Sequence, residues 1–408
     1  MTDSVLIFDI ETKTFGRPDG NRDELKFFGC YSYKTKKYYL LTNKEDIRKA
    51  LRSHKFHVGF NTKFYDELVL KRSGFGSELY QGVSIDLYEI IKKRASIINI
   101  KEGNFNNIIM HYSLDYITKK IGLVNKEEGK IKDFDYDILK KDTWTQEELD
   151  LINTYTERDI MVTKKLYEWV EDYFSDFKEL VTQSDIDNKT YLTCSPASFA
   201  YKVVCKRMGW QEVYDFQTKE SIPFEGGYVA YPAGEKFEGP ILMFDFSSLY
   251  PNLFIMGNLF ATDCKCCEFH EKWTGNNFFK IDGGTCKKEL HTLSIVLKEI
   301  YLKRAELKDK KNPKEQTYKI IINGLYGAIS NPKFTNIYNL VAAMNCTSLG
   351  RQFIKYVRKR FKEEGYLNIM TDTDSVAVQV PNNKTEKEAE ELANKITEEL
   401  VSNMPFPW

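Results

Sequence analysis

The sequence predicts two or three domains of mixed helix and strand, and three observations carry that prediction. A chain of 408 residues is too long for one typical core. Two continuous apolar runs, Val5-Leu-Ile-Phe8 and Ile241-Leu-Met-Phe244, read as buried strands, and each ends in a carboxylate, Asp9 and Asp245. Helical periodicity marks the rest: one long helix over about 146–174, two helices within 293–330 joined near Asn312-Pro313, and an amphipathic helix over 384–401.

Composition narrows the class of protein. Charged residues make up 29% and the hydrophobic set 42%, ordinary values for a folded soluble chain. No apolar stretch is long enough to span a bilayer, and no basic-then-apolar leader follows Met1. Eight cysteines without such a leader read as reduced thiols in a cytoplasmic setting. The formal net charge is zero, so any nucleic-acid partner must be held by local patches or through metal ions rather than by global charge.

The first strand continues into Asp9-Ile10-Glu11, and alternation along a strand puts Asp9 and Glu11 on one face. Open α/β sheets place chemistry at strand ends, although a charged strand end also occurs without function. GFNTKFYDELVL at 59–70 then carries Asn61 and sets Asp66 at the start of a helical pattern. Within the long helix, Tyr155 and Asp159 are four apart and share a face, so Tyr155 could orient a water beside a metal held by Asp159.

The second half repeats this logic. FEGGY at 224–228 contains Gly226 and Gly227, which form either a tight turn or a close backbone approach to a partner. ILMFDFSSLYPNLF at 241–254 ends a strand in Asp245 and turns through Ser248-Leu249-Tyr250-Pro251. Between 298 and 319 eight Lys or Arg stand against four Asp or Glu. There Arg304 and Lys308 line one helix face, and Lys319, Asn323 and Tyr326 line another, as a cradle for a triphosphate would require. Lys310, Lys311 and Lys314 read as solvated surface. NIMTDTDSVAVQV at 368–380 then sets Asp372 and Asp374 two apart, on one face if the strand continues, or as an ordinary hairpin turn.

FDIET, NTKFYD and YTERD, in this order, resemble the three exonuclease motifs of the family B DNA polymerases. DFSSLYP, KIIINGLYG and DTDS resemble that family's polymerase motifs A, B and C. The resemblance spans about residues 5–380 and is similar to the compact viral or protein-primed members. It implies an α/β ribonuclease-H-like 3′→5′ exonuclease domain over 1–170, a connecting segment over 171–225, an α+β polymerase palm with an antiparallel sheet over 226–260 and 330–408, and inserted helical fingers over 261–329. It implies further that Asp9, Glu11, Asp66 and Asp159 hold two Mg²⁺ ions about 4 Å apart, with Tyr155 beside the attacking water and Asn61 on the single-stranded 3′ end. In the palm it implies that Asp245, Asp374 and the Phe246 carbonyl hold two more ions, with Asp372 supporting. Ser248 and Leu249 amides, Arg304, Lys308, Lys319 and Asn323 would hold the dNTP. Tyr250 would exclude a 2′-hydroxyl, which separates RNA from DNA precursors; in isolation a tyrosine there is more often a core aromatic. Gly226, Gly227, Tyr326 and Gly327 would touch DNA.

The sequence departs from the family pattern at four places. Phe224 replaces a Tyr, Gly324 replaces a Ser and is expected to loosen its helix, and Met370-Thr371 replace Tyr-Gly. Only 33 residues follow Ser375, so the family's helical thumb is expected to come from a separately encoded polypeptide, or the gene is truncated. Primer–template DNA, dNTPs, a thumb chain and a processivity factor or other replication proteins are the expected partners. The alternative is a stand-alone exonuclease or DNA-binding remnant with an inactive palm. Outside the resemblance, Cys264, Cys267, Cys286 and His291, with Cys266 and His270 nearby, are a candidate structural Zn²⁺ set or simply reduced thiols. The synthetic role requires Asp245 and Asp374 to come within about 10 Å of one another.

Overall fold

The computed structural model describes the chain except residues 1–3, 96–97, 101–102, 105–112, 126–133, 218–221, 232–235, 263–271, 276–277 and 313. It divides into two compact units, Met1–Ser195 and Pro196–Trp408, each mixing helix with sheet.

The first unit is organised by a five-stranded sheet of order β3-β2-β1-β4-β5, made of β1 (Val5–Lys13), β2 (Glu24–Ser32), β3 (Lys37–Leu41), β4 (Phe56–Gly59) and β5 (Val83–Asp86). Because β1 is central, antiparallel to β2 and parallel to β4, the run Val5–Phe8 is buried on both faces. Helix α1 (Asp66–Leu70) follows β4, and α2 (Leu87–Arg94) follows β5. The long helix α3 (Gln146–Tyr173) starts at a capping box, in which Thr145 accepts from the Glu148 amide and Glu148 accepts from the Thr145 amide. Its buried residues Ile152, Tyr155, Thr156, Ile160, Thr163 and Tyr167 recur at helical spacing and face β1 and β2. Contact is closest at Gly29 on β2, where a Cβ would stand 2.3 Å from Thr156 Cγ2. Only glycine lets the helix lie this near the sheet.

The second unit holds a four-stranded antiparallel sheet of order β6-β8-β9-β7, made of β6 (Val229–Ala230), β7 (Ile241–Asp245), β8 (Leu367–Asp372) and β9 (Ser375–Gln379). Directly opposed residues share a face. Asp245 opposes Ser375, Met243 opposes Ala377 and Ile241 opposes Gln379, so these three rows form one face. The other face, with Phe244, Val376 and Val378, is covered by helix α8 (Leu340–Glu363), on which Phe244 stacks against Phe361 at 5.1 Å. Helix α9 (Glu386–Ser402) packs beside α8. On the first face Ile241, Met243 and Leu367 stay exposed.

The second unit also holds helices α4 (Pro196–Met208), α5 (Leu249–Met256), α6 (Thr292–Asp309) and α7 (Glu315–Ile329). The expectation that Gly324 loosens α7 needs correcting. A Cβ at Gly324 would stand 2.3 Å from the Pro196 carbonyl oxygen, so the missing side chain is what seats α7 on α4. Among the described residues no helix is long and apolar enough to cross a membrane.

Candidate functional site

In the first unit the four candidate carboxylates are carried by three elements. Asp9 and Glu11 lie on β1, Asp66 opens α1 and Asp159 lies on α3. Their proximity registers electrostatically: burial first, then Asp9, and further down Asp86 and Glu11, push the Asp66 carboxyl well above its ordinary range. Glu11 is buried and accepts a hydrogen bond from the Thr156 hydroxyl at 3.2 Å. Tyr155 is buried, stacks on Phe134 at 4.1 Å and shares a hydrogen bond with the Tyr136 hydroxyl at 2.8 Å. Burial and then the Asp159 charge raise the Tyr155 hydroxyl, so it stays protonated and serves as a donor.

Asp86, at the end of β5, was not singled out from the sequence, yet it organises the approach to Asp66. Its carboxylate accepts from the amides of Asn61 (2.8 Å), Lys63 (3.2 Å) and Tyr88 (3.0 Å). It thereby caps α2 and holds the 61–65 turn, in which Asn61 has φ +59° and an exposed side chain. Burial raises the Asp86 carboxyl, while these amides pull it back down. Tyr65 adds a second brace: its hydroxyl donates to buried Asp23 at 2.7 Å and lies 2.6 Å from the Thr12 hydroxyl.

In the second unit Asp245 and Asp374 come together through the sheet register. Asp245 opposes Ser375, the neighbour of Asp374, and the Phe246 amide donates to the Asp374 carbonyl at 2.9 Å. Burial and then the Asp245 charge raise the Asp374 carboxyl. Asp372 and Asp374 do not share a strand face, contrary to simple alternation. Asp372 ends β8, Ser375 begins β9, and Thr373-Asp374 form the tip of a two-residue hairpin with Thr373 at φ +48°. The turn and the acidic cluster are one feature. Asp372 points to the edge, where Tyr231 donates to it at 3.4 Å.

A positive φ is strained for a β-branched residue, and the FEGGY segment is built around it. The Thr373 amide donates to the Tyr228 carbonyl at 3.0 Å, and a Cβ on Gly227 would stand 2.7 Å from Thr373 Cγ2. Gly227 is thus explained by Thr373, whereas Gly226 faces open space. Arg351 on α8 donates to the carbonyls of Glu225 and Gly226, each at 2.7 Å, and Arg358 donates to the Tyr228 hydroxyl at 2.9 Å.

The residues expected to cradle a triphosphate lie at the start of α5 and on α6 and α7. Ser248 begins α5 at φ +55°, and its hydroxyl accepts from Arg304 at 3.0 Å. Arg304 is itself held by Glu315 at 3.1 Å, a partner not singled out from the sequence. Lys308, Lys319 and Asn323 make no side-chain hydrogen bond or ion pair to a described residue, with Lys308 and Asn323 exposed and Lys319 half-buried. Tyr250 and Tyr326 lie 5.0 Å apart between ring centroids, and Tyr250 packs over Gly350, 3.2 Å from where a Cβ would stand. Burial pushes the Tyr250 hydroxyl up to about 12. Leu249 is buried, and Gly327 faces Ala197 at ordinary contact distance.

Among the described residues no three His, Cys, Asp or Glu side chains form a ready-made metal cage. Of the candidate zinc set, Cys264 and Cys267, with Cys266 and His270, lie outside the described residues. Cys286 Sγ accepts from the Glu289 amide at 3.5 Å, and His291 caps α6 by accepting from the Leu293 amide at 3.1 Å. Buried Asn258 ties the two together, donating to the Cys286 carbonyl at 2.8 Å and accepting from the His291 amide at 2.9 Å. Local structure accounts for both residues.

The second unit thus carries a paired-carboxylate sheet and, on α6 and α7, a pair of helices bearing Arg304, Lys308 and Lys319. The chain matches the family model for DNA polymerase family B over residues 151–407, and it belongs to that family. It is 31% identical to DNA polymerase 1 of Pyrococcus abyssi over 202 residues, 47% of this chain and 25% of that protein. Similarity to the DNA polymerase of fowlpox virus is lower, 21%, but extends over 392 residues, 83% of this chain and 38% of the viral protein. The solved family B DNA polymerase of the archaeon Pyrobaculum calidifontis superposes with a TM-score of 0.59 at 18% identity, covering 97% of this chain and 55% of that one, a likeness of fold. The chain therefore spans from a quarter to just over half of the length of these relatives. Residues before 151 lie outside the family match.

Proposed function

We propose that the chain extends a DNA primer from dNTPs at the second unit and removes 3′-terminal nucleotides at the first. The observation that carries the synthetic half is the Asp245–Asp374 pair, two like charges held together with no Lys or Arg paired to either among the described residues. Such a donor set fits hard divalent cations, which prefer oxygen ligands and relieve the repulsion. Asp245, Asp374 and the Phe246 carbonyl would hold two Mg²⁺, the metal this family uses, with Asp372 beside them. Bound there, the ions supply positive charge to the attacking and leaving oxygens. Lys319, Lys308 and Arg304 neutralise the triphosphate, and the Lys319 ammonium donates a proton to the departing pyrophosphate. Tyr250, fixed between Tyr326 and Gly350, closes the space that a 2′-hydroxyl needs. Tyr326 and Gly327 border the nascent base pair, and Gly226 and Gly227 border template backbone.

In the first unit Asp9, Glu11, Asp66 and Asp159 would hold the corresponding ions, and protonated Tyr155 orients the attacking water. Asn61 sits on the turn that meets the 3′ end. In this reading residues 1–170 are a ribonuclease-H-like exonuclease domain and 171–225 connect it to the rest. The palm comprises 226–260 and 330–408, with fingers at 261–329. The exposed Ile241, Met243 and Leu367 support a further element, a separate thumb polypeptide that covers this sheet face, alongside any processivity factor.

The same open face favours a second reading, in which the second unit binds DNA without turnover and only the nuclease is active. Substitution separates the two. Asp374→Ala abolishes dNTP incorporation and spares 3′ degradation if the chain is a polymerase, and Asp9→Ala does the reverse. If Asp374→Ala changes nothing measurable, with or without an added thumb chain, the synthetic role is lost.

A further inference from the structure

Beside the residues assigned to its carboxylate centre, the second unit presents an aromatic surface that packing within the unit does not explain. Phe216 is 74% exposed. It is nevertheless fixed, stacked on Tyr214 with centroids 5.9 Å apart and planes 27° from parallel. The Lys333 ammonium stands 4.8 Å from the Phe216 centroid and 5.9 Å from that of Tyr214. The base beneath is rigid. Tyr214 bridges Phe334, the Asp215 amide donates to the Lys333 carbonyl at 3.0 Å, and the Thr335 amide donates to the Val213 carbonyl at 3.3 Å. The Tyr214 hydroxyl is anchored on Glu212 at 2.7 Å. A flat π-face rimmed by a cation, held out to solvent on a braced support, matches a nucleobase stacked on a ring with its phosphate beside an ammonium.

The place of this surface along α7 says which base. Lys319, Asn323 and Tyr326 follow one another along that helix, and at about 1.5 Å per residue Lys319 to Tyr326 covers roughly 10 Å, the reach of one nucleotide from phosphate to base. The chain leaves α7 just beyond Tyr326, at Ile329, and reaches Lys333 four residues later. On the polymerase reading Lys319 marks the triphosphate and Tyr326 the nascent pair, and the platform follows them along the chain. We propose that Phe216, Tyr214 and Lys333 form a stacking platform for the first unpaired template base ahead of the nascent pair. The inference rests on the polymerase reading and adds to it a contact that grips single-stranded template.

The test is equilibrium binding of the full chain to two primer–template duplexes. One ends at the templating base, and the other carries a five-nucleotide template overhang with 2-aminopurine at the first unpaired position beyond it. Wild-type chain is expected to bind the longer overhang about tenfold more tightly, the scale of one base–aromatic stack, and to quench the probe. Phe216→Ala is expected to remove both effects while leaving affinity for the short duplex unchanged, and Phe216→Trp to restore them. Equal weakening of both duplexes, or a preference and quench that survive Phe216→Ala, overturns the platform. Wild-type chain that binds both duplexes equally overturns it too and leaves the polymerase reading standing, whereas wild-type chain that binds neither overturns both.

Discussion

The two carboxylate centres are built in opposite ways. In the first unit Glu11, Asp66 and Tyr155 are all buried, and Glu11 and Tyr155 are braced by Thr156 and Tyr136, so the charge on Asp66 and Glu11 sits in a poorly solvated environment. In the second unit Asp245 and Asp372 are exposed at the rim of a sheet whose near face is uncovered, and only Asp374 is partly shielded. The cost of charge is therefore internal to the first unit, where ionising Asp66 is opposed by desolvation, and is largely deferred in the second until substrate or another chain arrives. A hydrolytic centre that must exclude all but one water gains from the first arrangement. A centre that must admit a duplex and release it needs the second.

The largest effects should divide cleanly between the units. Asp66→Ala is expected to lower 3′-end degradation by about 10³-fold or more, the scale on which loss of a charge-stabilising group acts, with nucleotide incorporation unchanged. Asp245→Asn is expected to do the converse, measured on the same primer–template with and without dNTPs. Loss of both activities from either substitution would show that the two centres are not independent.

Next in size is the support around Asp66. Asp86→Ala removes the acceptor of the Asn61, Lys63 and Tyr88 amides without touching the four candidate carboxylates. Outer partners of this kind typically contribute 10- to 100-fold, so nuclease kcat/KM should fall by about that much. The open second centre offers a matched case in Glu315, which holds Arg304. Glu315→Gln keeps an acceptor for Arg304 and removes only the charge, so it should raise KM for dNTP about threefold and leave kcat nearly unchanged. Equal losses at the two supports would erase the distinction drawn between enclosed and open sites.

The contrast also explains what could be read from residues alone. DFSSLYP and DTDS are legible because the family resemblance is carried there by particular residue types at fixed short spacing. The helix stripe through Tyr155 and Asp159 is legible because helical periodicity is local. Asp86 was not legible, since in sequence it is an ordinary cap before Leu87, and its work is done on Asn61 and Lys63 across the sheet. Gly227 and Gly324 were visible as glycines, but their reasons, Thr373 and the Pro196 carbonyl, lie far along the chain. Residues alone left Asp372 and Asp374 between a shared strand face and a hairpin turn, because alternation holds only within a strand; the pair straddles the turn.

Packing yields a smaller effect, confined to one unit. Gly324→Ser places a Cβ where the Pro196 carbonyl oxygen already lies, so α4 and α7 must separate. The expected cost is about 1–3 kcal/mol, typical of overpacking a tight contact. Thermal unfolding should show the transition of the second unit moved down and that of the first unit unmoved. A variant as stable as the parent would mean that α4 shifts freely, and the close approach would then carry no energetic weight.

The smallest expected effect is the most direct measure of how much charge the first centre stores. A carboxyl whose folded-state pKa lies above its unfolded value, as burial and Asp9 make that of Asp66, stabilises the fold while protonated. That contribution is present below the unfolded value of about 4 and is lost as pH rises through the folded one. At neutral pH the unfolded chain is ionised at this residue while the folded site opposes that charge, so wild-type chain in a chelator carries a cost that Asp66→Asn removes. The variant should therefore melt about 2 °C above wild type at pH 7, with the gap closing as pH is lowered toward 4. Adding Mg²⁺ should raise wild type more than the variant, because only wild type keeps the full carboxylate set to bind it. No comparable gain is expected for Asp245→Asn, whose carboxylate is already solvated. If both substitutions stabilise equally in chelator, the charge is stored in both centres, and enclosure is not what sets them apart.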